Sequence, residues 1–407
     1  MEKGEKCRIC GKNTLKSFLS LGMMPIANAF LNKEDLDKDE FKFELVVGFC
    51  ENCKMSQLMN TVDKEILFNE NYAYFSSVSK TMEKHFKKFA EDLEKRFLER
   101  NKEFVIEIGC NDGIMLKNFD KDRVRRLGVE PSNNVAEISR KRGLDVITEF
   151  FNEKTAQYIV KKHGKAKIVY GANVICHIEN LHDVARGIKT VLDNRGVFVF
   201  EEPYIIDIVE QNAYDQIYDE HVFYFSVTSL KNFFEKYGMT IFDCERQSVH
   251  GGSMRYYVCN KGDYEIRESV SKALQEERDK GILNFSTYER FAVNVEKSKD
   301  MLVEVIKGVK VEGKRLTGYG ASSKGTIVLN YCGITKDDLD YISDITPTKI
   351  GRYAPGTHIP IVSEDVFHKN PPDYSLLLIW NYAEEIKEKE KDSGVKFIVH
   401  IPFAKVI

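Results

Sequence analysis

Four cysteines near the start of the chain have the spacing of a metal site. They form two C-x-x-C pairs, and each pair presents two thiolates from one tight turn. Two such turns supply the tetrahedral thiolate set that Zn²⁺ prefers, with a chance arrangement of cysteines or a redox pair as the alternatives. Four thiolates leave no open coordination position, so we expect a structural and not a catalytic zinc ion. The predicted ligands are Cys7, Cys10, Cys50 and Cys53.

A glycine loop follows the first predicted strand of the central region. The segment EIGCNDG stands where this strand turns into a helix, so backbone N–H groups can approach a ligand closely. Its E-x-G-x-x-x-G pattern does not match the dinucleotide fingerprint G-x-G-x-x-G. It resembles motif I of the methyltransferases that depend on S-adenosylmethionine (SAM). The candidate SAM contacts in this loop are Glu107, Gly109, Asn111, Asp112 and Gly113.

Three further residues stand at the ends of the following strands, at the edge where α/β sheets bind ligands. Glu130 ends the second strand and can accept hydrogen bonds from both ribose hydroxyls of SAM. Phe151 follows the third strand and can stack on adenine, although an ordinary core position explains it equally well. Asn173, at the end of the fourth strand, is a second-tier contact.

Two histidines follow adjacent strands of the same region. His177 comes directly after the fourth strand, and His221 lies in YDQIYDEHVFYFS after the fifth. A histidine beside a carboxylate can act as a base near neutral pH, and a tyrosine hydroxyl can stabilise a developing oxyanion. We therefore predict an acid–base site that also includes Tyr218 and Glu220. His182 fits a helix pattern, and we expect it to be structural.

Two other loops are candidates for substrate binding. The glycines of HGGSMR allow close backbone approach, although a tight turn between strands explains them equally well. In GYGASSKG, backbone N–H groups and a lysine can bind a diphosphate, or the loop only packs. It is not a Walker A loop, because the lysine precedes the last glycine. The candidate residues are His250, Arg255, Ser323 and Lys324.

The elements that must position these residues indicate an α/β protein. Five short apolar runs between 104 and 203 alternate with helical stretches, which is typical of a parallel, doubly wound sheet. MTIFDCE and MRYYVCN complete its edge, and residues 81–100 form an amphipathic helix. A second alternating series closes the chain. We predict a small zinc-binding domain (1–70), a central Rossmann-like SAM methyltransferase domain (71–264), and a smaller C-terminal Rossmann-like α/β domain that begins with a helical connector (265–407).

The composition excludes several functional classes. The chain has 407 residues and a net charge of −3, so no global field attracts nucleic acid or an anionic membrane. The first residues are charged and unlike a secretory signal, and no run approaches the roughly 18 apolar residues of a membrane-spanning helix. The five remaining cysteines stand singly, as buried thiols do in a reducing compartment. We expect a cytoplasmic protein without nucleic-acid or membrane contacts, and no protein partner is inferred.

Motifs in a fixed order run through nearly the whole chain. They are CRICG, GMMPIANAFL, CENC, YAYFSSVS, EIGCNDG, GVEPSNNVA, ANVICHIENL, YDQIYDEHVFYFS, HGGSMR, GYGASSKG and YISDITPTKIGRYAPGTHIPI. On these motifs the chain resembles the sugar C-methyltransferases that act on nucleotide-linked 4-keto-6-deoxy sugars. The resemblance implies a sugar nucleotide bound between the domains. It also implies methyl transfer from SAM to carbon C3, beside the C4 ketone, which makes a branched-chain deoxysugar.

The resemblance also implies roles for individual residues. His221 matches the base that removes the C3 proton, and loss of that proton gives an enolate. The chain departs from the family at Asp219, where the YHEH motif usually has histidine. It departs again at SSKGTIVLNY, where related chains have a proline-containing version. Further active-site positions of the family match Tyr72, His177, Tyr218 and Glu220.

Other functions stay open on the sequence alone. An O- or N-methyltransferase acting on a nucleotide sugar needs no enolate. A non-catalytic zinc-ribbon adaptor with a degenerate SAM domain needs no base. An NAD-dependent sugar-nucleotide enzyme rests only on the C-terminal glycine loop.

Overall fold

A computed structural model describes residues 5–69, 76 and 80–407 of the chain. Three β-sheets follow one another along this part of the chain, and helices cover the second and the third. None of its helices combines the length and the apolar character that crossing a membrane requires.

The first sheet is antiparallel and carries the cysteine pairs. Its buried residues alternate along the third strand, where Phe43, Leu45 and Val47 face the core. A strand from far along the chain, β10 (Phe223–Tyr224), pairs with the fourth strand and completes the sheet. The other elements are β1 (Glu5–Lys6), β2 (Asn13–Pro25), β3 (Lys42–Cys50), β4 (Ser56–Leu58) and the short helix α1 (Lys64–Leu67).

The second sheet has seven strands, of which five are parallel and two close one edge as an antiparallel pair. Its strands are β5 (Glu103–Ile108), β6 (Val124–Val129), β7 (Val146–Ile147), β8 (Ala166–Ala172), β9 (Leu192–Pro203), β11 (Met239–Gln247) and β12 (Ser253–Asn260), in the order β11-β12-β9-β8-β5-β6-β7. The associated helices are α2 (Lys80–Phe97), α3 (Asn133–Lys141), α4 (Glu153–His163), α5 (Leu181–Val191), α6 (Ile205–Glu210) and α7 (Val227–Phe234).

The third sheet has six strands, all parallel except the last. Two helices lead into it, α8 (Glu268–Asp279) and α9 (Phe285–Val311). The sheet and its helices are β13 (Leu316–Tyr319), α10 (Ser323–Cys332), β14 (Ile342–Asp344), β15 (Ile361–Ser363), α11 (Glu364–Lys369), β16 (Tyr374–Leu377), α12 (Ala383–Lys389), β17 (Lys396–Val399) and β18 (Lys405–Val406).

The predicted fold class is confirmed: a cysteine-bearing N-terminal layer is followed by two Rossmann-like α/β units. The strand predicted at 145–150 is shorter in the structure, where only β7 forms. This strand lies at the edge of the sheet and pairs only with β6. The amphipathic helix spans α2 and buries Phe86, Phe89 and Leu93. The domain boundaries stay predictions, since the first sheet takes β10 from within the central stretch.

Candidate active site

The two C-x-x-C pairs of the N-terminal layer converge on one point. The four Sγ atoms all lie within 4.8 Å of one another, and the Sγ atoms of Cys7 and Cys53 are 3.6 Å apart. Each pair lies on a turn closed by a backbone hydrogen bond, from Gly11 N–H to the Cys7 carbonyl and from Lys54 N–H to the Cys50 carbonyl. The side-chain amide of Gln57 donates to Cys7 Sγ at 3.0 Å. This set of four sulfur donors fits a tetrahedral zinc ion.

The glycine loop follows β5, and its two glycine positions leave no room for a side chain. Gly109 has a φ of 64°, and a Cβ atom there would lie 2.4 Å from a methyl carbon of Val174. Glu107 is directed into the fold, where its carboxyl accepts from the Tyr170 hydroxyl at 2.7 Å and from Leu116 N–H at 3.1 Å. Burial raises the pKa of Glu107 well above its ordinary value. Glu107 therefore supports the loop from behind.

Glu130 connects the glycine loop to the end of β6. Its carboxylate accepts from the backbone N–H of Asn111 at 3.0 Å and of Ser132 at 2.9 Å, and burial raises its pKa. A carboxylate held at this strand end can also accept from the two ribose hydroxyls of a nucleoside. The side-chain oxygen of Asn111 accepts from Ser76 N–H at 3.1 Å. The loop and the acidic strand end together fit the SAM site that the sequence predicts.

The other predicted cofactor residues lie around this loop. Asp112 is buried, with Arg142 3.4 Å from its carboxylate. Gly113 has a φ of 78°, and a Cβ there would meet Leu144 at 2.4 Å. Phe151 is buried in the core, and Asn173 has the left-handed φ of 53° directly after β8. Their roles toward SAM stay predictions.

His221 is buried at the same edge of the central sheet, and its hydrogen bonds define its tautomer. One ring nitrogen, Nδ1, lies 2.9 Å from the Gln216 carbonyl oxygen, which can only accept, so Nδ1 carries the proton. The other, Nε2, therefore holds a lone pair and accepts from the Tyr218 hydroxyl at 2.7 Å. Burial, followed by the nearby His177 and Lys324, lowers the pKa of His221 well below its ordinary value. The imidazole is a neutral base with Nε2 as the basic atom.

His177 lies against the base. Its ring stacks on that of His221, with centroids 5.2 Å apart, and on the ring of Phe68 from the N-terminal layer at 5.6 Å. Burial lowers its pKa to about 3. Its buried Nε2 has no hydrogen-bond partner among residues 5–69, 76 and 80–407. Glu202, at the end of β9, holds the turn before this histidine by accepting from Val174 N–H and Ile175 N–H.

Two acidic side chains next to the base reach the N-terminal layer. Asp219 accepts from Ala27 N–H at 3.0 Å, and Glu220 accepts from the side-chain amide of Asn28 at 2.6 Å. Burial and the adjacent Glu220 raise the pKa of Asp219 to about 8. Asp219 and Glu220 therefore fasten the segment that carries His221 to the GMMPIANAFL segment.

The C-terminal unit brings two lysines to this region, of which Lys349 is buried and Lys324 is partly buried. Lys324 donates to the His250 carbonyl at 3.1 Å, and Lys349 donates to the Ala321 carbonyl at 2.7 Å. Burial lowers the pKa of both lysines, and it lowers that of His250 to about 4. Ser323 is the first residue of α10.

The structure thus brings most of the predicted catalytic and substrate residues to one region, with one exception among the described residues. Arg255 is bonded to the buried Glu201 at 2.9 Å and lies over the Phe89 ring at 3.5 Å, so its guanidinium is committed inside the fold. Tyr72 lies outside the described residues. Sequence reasoning missed Glu202 and Lys349. The pair of glutamates that ends GVFVFEEP was the available signal for Glu202, and no local pattern singles out Lys349.

The protein is a SAM-dependent methyltransferase with a zinc-binding N-terminal domain. This class is defined by the fold, the glycine loop and Glu130 at the end of β6. Three family models match successive stretches, described as a zinc binding domain (residues 7–68), a methyltransferase domain (82–243) and a C-methyltransferase C-terminal domain (248–402). C-methyltransferase NovU of Streptomyces niveus is 35% identical over 407 residues, which cover 99% of this chain and 97% of that protein. The chain belongs to the C-methyltransferase family. The predicted enzyme class and both cofactors are confirmed.

Solved structures resemble the chain over less than half of its length. A SAM-dependent methyltransferase from Anabaena variabilis is 18% identical, with a TM-score of 0.35 over 43% of this chain and 84% of that chain. The magnesium protoporphyrin IX methyltransferase of Synechocystis, with bound SAM, is 11% identical, with a TM-score of 0.33 over 44% of this chain and 79% of that chain.

Proposed function

We propose that the protein methylates carbon C3 of a nucleotide-linked 4-keto-6-deoxy sugar and so makes a branched-chain deoxysugar. The observation that carries the proposal is the state of His221, a buried neutral imidazole whose Nε2 is the basic atom. A carbon acid needs such a base, whereas methylation of an amine needs none. SAM, bound at the glycine loop and Glu130, supplies an electrophilic methyl group.

His221 removes the proton. The C3–H bond breaks, its proton passes to Nε2, and its electron pair forms the C3–C4 double bond as the ketone oxygen becomes an enolate oxygen. C3 and the ketone oxygen are close neighbours in the substrate, so the base and a donor to that oxygen must also be neighbours. Tyr218 meets this requirement, because its hydroxyl lies 2.7 Å from Nε2. When the substrate displaces the hydroxyl from Nε2, the same group donates to the enolate oxygen.

Lys324 and Lys349 support the nucleotide part of the substrate, because each ammonium group donates to a backbone carbonyl in this region. Burial lowers the pKa of both lysines, although Asp215 lies near the first and other carboxylates lie near the second. A diphosphate can accept hydrogen bonds from two such cationic donors. We therefore assign the diphosphate of the sugar nucleotide to these lysines.

Deuterium exchange tests this function. The enzyme is incubated in D₂O with S-adenosylhomocysteine and a panel of 4-keto-6-deoxy nucleotide sugars, and deuterium at C3 is followed by NMR. We expect exchange at C3 with the wild type and none above background with His221→Ala. His182→Ala, which removes a histidine that contacts Tyr237 and Ile9 and not His221, should exchange like the wild type. A product methylated on oxygen or nitrogen, or the absence of C3 exchange across the panel, would overturn the proposal.

A further inference from the structure

The carboxylate of Asp215 is buried just before the catalytic segment, and its hydrogen-bond donors come from the C-terminal unit. Its Oδ2 atom accepts from the indole N–H of Trp380 at 2.7 Å and lies 3.3 Å from Nε2 of His400. These partners are 165 and 185 residues away in the chain. Burial would raise the pKa of Asp215, yet His400 and the nearby Lys324 leave it below its ordinary value, so the group is an anion.

Trp380 is the single tryptophan of the chain, and it is wedged against the loop that follows β11. Gly251 has a φ of 87°, and a Cβ atom there would lie 2.7 Å from the Trp380 ring. The carbonyl of the preceding His250 accepts from Lys324 and from the side-chain amide of Gln216. The indole thus contacts the loop with its ring edge and the catalytic segment with its N–H.

Asp215 acts on the base through the backbone. It lies in the 3-10 turn Tyr214–Gln216, and the next carbonyl along this turn, that of Gln216, accepts the Nδ1 proton of His221. If this carbonyl moves, the proton is free to occupy either ring nitrogen, and Nε2 loses its lone pair in a fraction of the molecules. The position of this turn and the tautomer of His221 are therefore coupled.

We propose that Asp215 and Trp380 are positioning residues for methyl transfer: their bond holds the turn that keeps the proton of His221 on Nδ1 and leaves Nε2 basic. The inference rests on the proposed role of His221 as the base. Through this bond, the C-terminal unit controls the reactivity of a base that belongs to the central unit.

The test compares Trp380→Phe, which keeps a ring but removes the N–H donor, with Asp215→Asn, which keeps an acceptor oxygen but removes the charge. We expect kcat to fall about 10- to 100-fold in Trp380→Phe, as displacements of about 1 Å do. We expect a smaller fall in Asp215→Asn, with the KM for SAM unchanged in both. Ser375→Ala is the matched control, because it removes a buried hydrogen bond to Thr317, between β13 and β16, which holds neither Asp215 nor His400. It should keep kcat within about twofold of the wild type.

Two spectroscopic readouts separate positioning from general loosening. In ¹⁵N-histidine-labelled enzyme, we expect His221 to be an Nδ1–H tautomer in the wild type and in Ser375→Ala, and a mixture in Trp380→Phe. The single indole N–H resonance should shift upfield in Asp215→Asn, as expected when a carboxylate acceptor becomes an amide. An unchanged His221 tautomer in Trp380→Phe, or an equal loss of kcat in Ser375→Ala, would overturn the inference. Absence of C3 exchange in the wild type would instead overturn the proposed function, and the tautomer readout does not depend on it.

Discussion

Two clusters of the molecule are built from side chains that can bind metal ions, and we assign them different roles. In the N-terminal layer, four cysteine Sγ atoms lie within 4.8 Å of one another, and the donor atoms of Cys176, His177 and His221 also lie within 4.8 Å of one another. In the first cluster the sulfurs converge on one point. In the second, His221 has a hydrogen-bond partner on each ring nitrogen, and its ring stacks on that of His177 at an angle of 27°. Imidazole lone pairs lie in the ring plane, so stacked rings do not aim at a common ion.

The difference teaches that ligand types and proximity do not by themselves make a metal centre. What decides is where the lone pairs point and whether another group already uses them. We therefore assign zinc to the thiolate cluster and acid–base chemistry to the histidine cluster.

The largest expected effect is the loss of zinc from Cys50→Ala. A structural zinc site contributes about 10–16 kcal/mol of apparent binding free energy, and a three-thiolate remnant keeps little of it. The zinc content, measured by elemental analysis, should fall from one zinc per chain to near zero. The cooperative thermal transition should also be lost. Cys259→Ala, which truncates a buried cysteine outside the cluster, should keep its zinc. A full complement of zinc in Cys50→Ala would contradict the assignment.

The second effect is a loss of turnover without a loss of zinc, which we expect in His221→Ala. Loss of a general base lowers turnover by about 10²- to 10⁴-fold. Zinc content and SAM affinity, measured by elemental analysis and calorimetry, should stay at wild-type values, because His221 touches neither site. A variant that lost its zinc as well would show that the two clusters are not separate.

A smaller effect concerns the pH profile. The pKa of His221 lies well below its ordinary value, so the acid limb of kcat/KM should fall below pH 6.5. Tyr218 donates to Nε2, a bond that favours the neutral imidazole. Tyr218→Phe should therefore raise the pKa and move the acid limb upward, by about 0.4–1 pH unit for a bond of typical strength. Tyr237→Phe, which removes a hydroxyl bonded to His182, should leave the limb in place.

The smallest expected effect is no change at all. If stacking keeps the histidine cluster from binding metal, enzyme treated with a moderate excess of Zn²⁺ and then desalted should still hold one zinc per chain. Its activity should match that of the untreated enzyme. A second zinc that accompanies inhibition would break the comparison between the clusters.

The sequence predicted what depends on local spacing. Two C-x-x-C pairs and a glycine loop between a strand and a helix are each complete within a few residues, so their geometry follows from one turn. The predicted alternation of strands and helices also placed His177 and His221 at one edge of the central sheet.

Contacts between distant segments were beyond the sequence pattern. Arg255 stands opposite Glu201 only because β12 pairs antiparallel with β9, and that register commits its guanidinium to a buried carboxylate. The Asp215–Trp380 bond joins two separate α/β units. Asp215 lies in the YDQIYDEHVFYFS motif, but nothing in that motif points to Trp380 as its partner. Such pairs depend on how complete units pack, which no short stretch of sequence encodes.

The pairing of β10 with β4 has a consequence for folding during synthesis. Residues 56–58 leave the ribosome long before 223–224, so the metal-bearing layer is synthesised with an open edge. His221 lies two residues before the strand that covers this edge. A strand that is synthesised late therefore closes the early layer and brings the His221 imidazole to its side.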